Sequence, residues 1–157
     1  MELISPHIRL AEKKDLEMIL ELYHGLTEDP EDKITLPEAE KKFEKFSLYP
    51  DYKLYVAEYK NEIVGTFALL IMDNLAHRGE SSSVVEDVVI RNDLQGKGIG
   101  KVMMNFAMDV SRKKGCYKMV LSSHLRRESA HLFYESLGFK KHGYSFVVNL
   151  KTQDISH

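Results

Sequence analysis

A single cysteine, Cys116, stands in a chain of 157 residues, which excludes an internal disulfide and any cysteine-based zinc cluster. Followed by "YKMVL", it reads as a small residue at the start of a strand rather than as a reactive thiol. No run of about 18 apolar residues is present to cross a bilayer. The opening "MELISPHIRLAEKKDLEM" also lacks the basic segment followed by an apolar one that marks a secretory signal. A cytoplasmic protein with no membrane partner is expected. There is no excess of either charge, with Lys plus Arg at 22 against 24 for Asp plus Glu. No global positive field therefore attracts nucleic acid, and only a local patch around Lys97, Lys101 and Arg126-Arg127 is left. Partners should be small molecules. Repeats, low-complexity tracts and Pro/Ser-rich linkers are absent as well, so one domain over residues 1–157 is expected. A domain of this length buries roughly two-thirds of the surface of its unfolded chain.

What is present can be divided by hydrophobic period. "PHIRLAE" predicts a short strand, and "KKDLEMILELYHGL" an amphipathic helix with Leu16, Ile19, Leu20, Tyr23 and Leu26 at three-to-four spacing. A second helix is predicted over Leu36 to Ser47, before "LYPDY" turns the chain. "KLYVAEY" and "EIVGTFALLIM" are two strands joined by the short "KNE", a length that suits a hairpin. The polar "DNLAHRGESSS" reads as a loop leading into the strand "VVEDVVI". Ile99, Val102, Met103, Phe106, Ala107 and Val110 line one face of a long helix that Gly115 ends. "YKMVLSS" is a strand, and "RRESAHLFYESLGF" a helix with Ala130, Phe133, Tyr134 and Leu137 on one side, stopped by Gly138. "YSFVVNL" is a final strand. The order implies an α/β sandwich with a mixed sheet.

Between "VVEDVVI" and the long helix lies Gln95-Gly96-Lys97-Gly98-Ile99-Gly100-Lys101, with three glycines and two lysines. A glycine-rich turn from strand to helix aims backbone N–H groups and the positive helix end at an anion. The dinucleotide fingerprint GxGxxG fails in both registers, because Lys101 or Met103 stands where the last glycine belongs. The P-loop GxxxxGK[ST] fails at Gln95 and at Val102. The pattern Q/R-x-x-G-x-G/A is met by Gln95, Gly98 and Gly100. With "IRLAEKKDLEMI", "EDVVIRNDLQGKGIGKVMM" and "HLFYESLGF" in this order, the chain resembles the GCN5-related N-acetyltransferases (GNAT), over most of its length. Within that superfamily, "VVEDVVI", "GCYKMVL" and "AHLFYESLGFKKHGYSFVV" look most similar to the glucosamine-6-phosphate and aminoalkylphosphonate N-acetyltransferases.

The resemblance implies the GNAT fold, an α/β (α+β) arrangement with a mixed, mostly antiparallel sheet of about six or seven strands and about four helices. It implies acetyl-CoA as co-substrate, with the pyrophosphate on the backbone of Gln95, Gly96, Lys97, Gly98, Ile99, Gly100 and Lys101. Lys97 and Lys101 either add charge at its edge or are simply solvated. The pantetheine arm would run along the backbone of Val88, Val89 and Ile90, whose side chains belong to the core. Tyr134 corresponds to a tyrosine that faces the coenzyme sulfur, where a phenol can share its proton with the departing thiolate; by spacing alone it is a core aromatic. An asparagine that many relatives carry early in the last helix is missing from "LRRESAHLFY", and Ser129 is the candidate substitute. A homodimer is a further family-level expectation.

Acetyl transfer to an amine needs a held donor, a neutral amine, a stabilised oxyanion and a proton for the thiolate. Glu86 and Asp87 interrupt a strand of Val and Ile, where an unpaired buried carboxylate would cost several kcal/mol. One of them is therefore expected to face a cleft and handle the ammonium proton, since successive strand residues point to opposite faces. The alternative is a salt bridge to a helix, and the choice between the two acids stays open. No metal-ligand pair is recognisable among the histidines. His77-Arg78 and Arg126-Arg127 either bind an anionic amine or are solvated surface. The expectation is an N-acetyltransferase acting on a small primary amine by direct attack, without a covalent enzyme intermediate. The alternatives are a non-catalytic coenzyme A-binding domain and an acetyltransferase for protein lysines or N-termini.

Overall fold

The computed structural model describes residues 2–26 and 29–151. These divide into two compact units, Met1–Leu121 and Ser122–His157. Residues 1, 27–28 and 152–157 of the span expected to form one domain lie outside the described residues.

In the first unit, β1 (His7–Leu10) leads through a 3₁₀ turn, Lys13–Asp15, into α1 (Leu16–Tyr23), and α2 (Leu36–Phe46) follows. Then come β2 (Tyr52–Tyr59), β3 (Glu62–Met72), β4 (Ser81–Ile90), α3 (Ile99–Lys113) and β5 (Cys116–Leu121). The sheet order is β1-β2-β3-β4-β5. The first four strands pair antiparallel, as short connections allow. β5 pairs parallel with β4 because α3 carries the chain back across the sheet. Among the described residues, no helix is long and apolar enough to cross a membrane.

Alternation along the strands feeds both faces of this sheet. On one face Leu54, Val56 and Ala68 pack with Leu16, Ile19 and Leu22 of α1. On the other, Tyr55 stacks on Phe67 and meets Phe106 of α3 edge-on, each ring pair 5.2 Å apart. α3 lies so close to β3 that a Cβ on Gly65 would fall 2.8 Å from the Met103 sulfur and 3.2 Å from the Val89 carbonyl oxygen. Glycine is needed there for space. α2 starts at a reciprocal cap between Thr35 and Glu38, a signal its sequence carries plainly.

At the entry to α1, Asp15 is 5% exposed and accepts two hydrogen bonds from Arg9, 2.7 and 2.9 Å long. It also accepts one from the Glu12 backbone N–H at 2.7 Å. Arg9 reaches Glu58 of β2 as well, at 2.9 Å. This charged knot ties β1, the turn before α1, and β2 together. It also explains why the helix predicted from Lys13 opens with a 3₁₀ turn: Asp15 is held inward rather than continuing an α-helical surface.

In the second unit, α4 (Glu128–Ser136) ends where Gly138, at φ +95°, takes the left-handed conformation and the Phe139 N–H bonds back to the Tyr134 carbonyl. Two expectations are corrected. Ser81–Ser83, read as loop, are the first residues of β4, paired with β3 and β5. The final strand over 144–150 is not formed among the described residues, so the sheet has five strands rather than six or seven.

Candidate functional site

β4 does not alternate cleanly where its two acids lie. Thr66 of β3 faces Val89 and Ala68 faces Glu86, so Phe67 alone opposes both Asp87 and Val88. This is a β-bulge with the extra residue on β4, and it leaves backbone groups at that point out of the ladder. Asp87 absorbs the irregularity at φ +52°, a left-handed conformation that aspartate tolerates better than most residues. With one residue more on β4 than on β3 at this point, the simple alternation behind the expectation of opposite faces does not hold across Glu86 and Asp87. Both acids are exposed. Neither forms an ion pair among the described residues, so the helix salt bridge offered as their alternative role is not made. Val88, Val89 and Ile90 are half-buried, and Val89 packs against the core cluster between the sheet and α1.

Two phenols feel the charge of Asp87, Tyr23 at the end of α1 and Tyr52 at the start of β2. Burial pushes the Tyr23 hydroxyl well above its usual range, and the charge of Asp87 and the neighbouring Tyr52 push the same way, opposed by a hydrogen bond with Thr66. Tyr52 is raised by burial first, then by Asp87 and Glu86. Both phenols therefore stay protonated across neutral pH. Tyr52 also closes an aromatic wall with Phe46 and Tyr49, at ring separations of 4.7 and 5.6 Å.

Beyond β4, a 3₁₀ turn at Asn92–Leu94 delivers the chain to the glycines. Gly96 and Gly98 both have positive φ, +76° and +88°, and Gly98 is the N-cap of the 15-residue α3. No side chain caps this helix. The N–H groups of Ile99, Gly100 and Lys101 have no carbonyl four residues back within the helix, so they are free to meet an anion. A Cβ on Gly96 would meet nothing within 4 Å, so the turn is open on that side. The loop is braced from behind, where the Ile4 N–H donates to the Lys97 carbonyl at 2.9 Å. The Gln95 side chain turns back to Asn92 at 3.3 Å. Lys97 is half-buried and Lys101 exposed, and neither is in an ion pair among the described residues. The structure thus joins Glu86 to Lys101 into one continuous feature, a bulged strand running into an uncapped helix.

The second unit holds the remaining candidates. Tyr134 is buried on α4 between the rings of Phe133 and Phe139, 5.2 and 5.6 Å away. Burial raises its phenol above the usual value, and Arg127 partly opposes this. Ser129, Arg126 and Arg127 are exposed. In the first unit His77 and Arg78 occupy a left-handed turn, with the His77 ring 4.8 Å from Tyr117.

Residues 16–139 match the model of the acetyltransferase (GNAT) family. The chain belongs to this family. It is 31% identical over 142 residues to the glucosamine 6-phosphate N-acetyltransferase of Trypanosoma brucei brucei, covering 90% of this chain and 93% of that one. It is 25% identical to the aminoalkylphosphonate N-acetyltransferase of Salmonella typhimurium, over 89% of this chain and 97% of that one. Among solved structures, the glucosamine-6-phosphate N-acetyltransferase from Arabidopsis thaliana superposes with a TM-score of 0.82 at 26% identity, over 94% of this chain and 99% of that one.

In this GNAT acetyltransferase, Tyr23 and Tyr52 are further candidates that sequence reasoning missed. Tyr23 sits at an apolar helical position and Tyr52 in the stretch "LYPDY" read as a turn, so neither spacing nor motif marks them. Only the fold puts both phenols within range of the Asp87 charge.

Proposed function

We propose that this chain transfers the acetyl group of acetyl-CoA to the primary amine of a small molecule by direct attack, and that residues 1–157 act as a single acetyltransferase domain. The observation that carries the reading is the uncapped, glycine-entered N-terminus of α3, directly continuous with the bulge of β4. Its orphan N–H groups and open face suit a pyrophosphate held by the backbone from Gln95 to Lys101, with Lys97 and Lys101 at the rim. Acetyl-CoA supplies the activated thioester. The backbone freed by the bulge at Asp87 and Val88, continuing through Val89 and Ile90, is where a pantetheine arm and a developing oxyanion would find N–H donors. Ser129 is a further candidate for holding the coenzyme.

A primary amine with a lysine-like pKa of about 10.4 arrives protonated at neutral pH and must lose a proton before it attacks. Glu86 and Asp87, exposed and without a cation, are suited to attract the ammonium and accept that proton directly or through water. Tyr23 and Tyr52 add neutral phenol oxygens beside Asp87 that can hold the amine. Tyr134, kept protonated by burial, is assigned the proton for the leaving thiolate. The two relatives above act, by name, on a glucosamine phosphate and on aminoalkylphosphonates. Both are amines bearing a phosphorus oxyanion, and we assign the acceptor to that class. The single unbridged cysteine favours a cytoplasmic setting.

The test is release of coenzyme A thiol from acetyl-CoA across aminosugar phosphates, aminoalkylphosphonates, polyamines, aminoglycosides and lysine peptides, with Tyr134→Phe alongside. The expected result is turnover with a phosphorus-bearing amine, reduced about 10²-fold in kcat by the variant, a magnitude typical of losing one acid–base group. Acetyl-CoA binding without turnover on any amine would return the chain to the class of non-catalytic coenzyme A-binding domains. Turnover on peptides alone would make it a protein acetyltransferase.

A further inference from the structure

The segment ahead of β1 is buried in a way that strand pairing does not explain. Ile4, Pro6 and Ile8 are buried while Ser5 and His7 are exposed, so the alternation of β1 runs back to Ile4, although the ladder with β2 begins only at His7. What receives the segment is the glycine turn. The Ile4 N–H donates to the Lys97 carbonyl at 2.9 Å, and Leu3 Cδ2 would lie 3.4 Å from a Cβ on Gly98. A trans peptide is planar, and its C=O and N–H point in opposite directions. With the Lys97 carbonyl turned back onto Ile4, the Gly98 N–H of the same peptide is turned away from the segment. Among the described residues that N–H meets no backbone acceptor. It stands immediately before the N–H groups of Ile99, Gly100 and Lys101 at the uncapped entrance of α3. Gly96 and Gly98 flank Lys97 at positive φ, and glycine's freedom makes this peptide easy to rotate. The bond from Ile4 selects one orientation.

We propose that Ile4 is a positioning residue for the coenzyme: its backbone N–H locks the Lys97–Gly98 peptide so that the Gly98 N–H joins those of α3 in holding the pyrophosphate. This role rests on the coenzyme site proposed above. Ile4 acts through the peptide it holds, not by contact with the coenzyme. Its side chain, 8% exposed, anchors the segment. β1, paired with β2 and tied through Arg9 to Asp15 and Glu58, keeps that anchor from sliding. Because the donor is a backbone group, every residue type except proline can supply it at position 4, and no motif marks it. Coupling between two sites is reciprocal, so a bond that favours coenzyme binding must itself become firmer when the coenzyme binds.

The experiment compares the full chain with Ile4→Pro, which removes the N–H, and Ile4→Ala, which keeps the N–H and trims the anchor. Coenzyme A is titrated by calorimetry, and pantetheine, which lacks the pyrophosphate, by NMR. Ile4→Pro should weaken coenzyme A about fivefold, the size of one net hydrogen bond, and leave pantetheine unchanged. Ile4→Ala should lower the melting temperature yet hold coenzyme A within about twofold, a bound set below that one-bond effect. Amide exchange on the unsubstituted chain needs no variant to fold. Coenzyme A should slow exchange at Ile4 by a factor similar to the affinity loss, and more than at Ala11, whose N–H bonds the Leu54 carbonyl past the other end of β1. A folded Ile4→Pro with unchanged coenzyme A affinity, an equal loss for pantetheine, a loss in Ile4→Ala as large as in Ile4→Pro, or Ile4 exchange indifferent to coenzyme A would each overturn the proposal. An unsubstituted chain that binds no coenzyme A would instead refute the coenzyme site itself, and this role with it.

Discussion

Gly98 offers a sharp test of how the turn before α3 works. At φ +88° it lies in the left-handed region, which costs an L-residue roughly 1–2 kcal/mol. The space itself is tolerable, because a Cβ would meet only Leu3 Cδ2 at 3.4 Å, on an exposed side chain that can move away. Gly98→Ala therefore carries a backbone penalty and little else. The chain can relieve it by rotating the peptide before Ile99, which turns the orphan N–H groups of α3 away from the anion they would hold. A penalty of this size corresponds to about a 5- to 30-fold change in an equilibrium constant. Gly98→Ala should weaken coenzyme A binding by about tenfold in titration calorimetry and lower unfolding stability by no more than about 2 kcal/mol. Gly98→Asn should recover part of the affinity, since asparagine tolerates this conformation better. Gly115, at φ +78° with open space around it, is the control at the other end of the same helix. Gly115→Ala should lose similar stability and keep its affinity. Unchanged affinity in Gly98→Ala, or an equal loss in Gly115→Ala, would refute the reasoning.

Asp15→Asn, which breaks the buried pair with Arg9, should cost about 3 kcal/mol in denaturant unfolding, at the low end for such pairs because Arg9 keeps Glu58. Arg9 holds the Asp15 carboxyl below its ordinary value. Its stabilisation is therefore full above the unfolded carboxyl pKa of about 3.9 and is lost as pH falls below that through the folded value. The variant should lack that part of the acid limb. Gly65→Ala should destabilise by about 1–3 kcal/mol through overpacking against Met103 and Val89, and a neutral result would mean that α3 shifts freely on the sheet. Asp87→Asn and Glu86→Gln should each keep the fold, and one of them should lower kcat/KM about 10²-fold and flatten its rise with pH. Loss of rate with an unchanged pH profile in both would remove the carboxylates from proton transfer and leave them as positioning groups.

Much of this was legible in the sequence because it depends on local chemistry. The hydrophobic periods mark α1, α2, α3 and α4, the Thr35–Glu38 spacing announces a helix start, and Gly115 and Gly138 end helices where their backbone freedom is needed. The turn from Gln95 to Lys101 is equally local, since two left-handed glycines ahead of an apolar helical face suffice to form an uncapped helix entrance. Where two segments must meet, the sequence alone is silent. The bulge at Glu86 and Asp87 is a matter of count between β3 and β4, and no residue in "VVEDVVI" declares that Phe67 will oppose two partners. Tyr23 and Tyr52 acquire their relation to Asp87 only when α1 packs on the sheet. Ser81–Ser83 become strand because two neighbours pair with them, whereas residues 144–150, the better strand by composition, form none among the described residues. Helices close their hydrogen bonds locally, but strands and sites close theirs across the fold, and only the tertiary structure decides which edges meet.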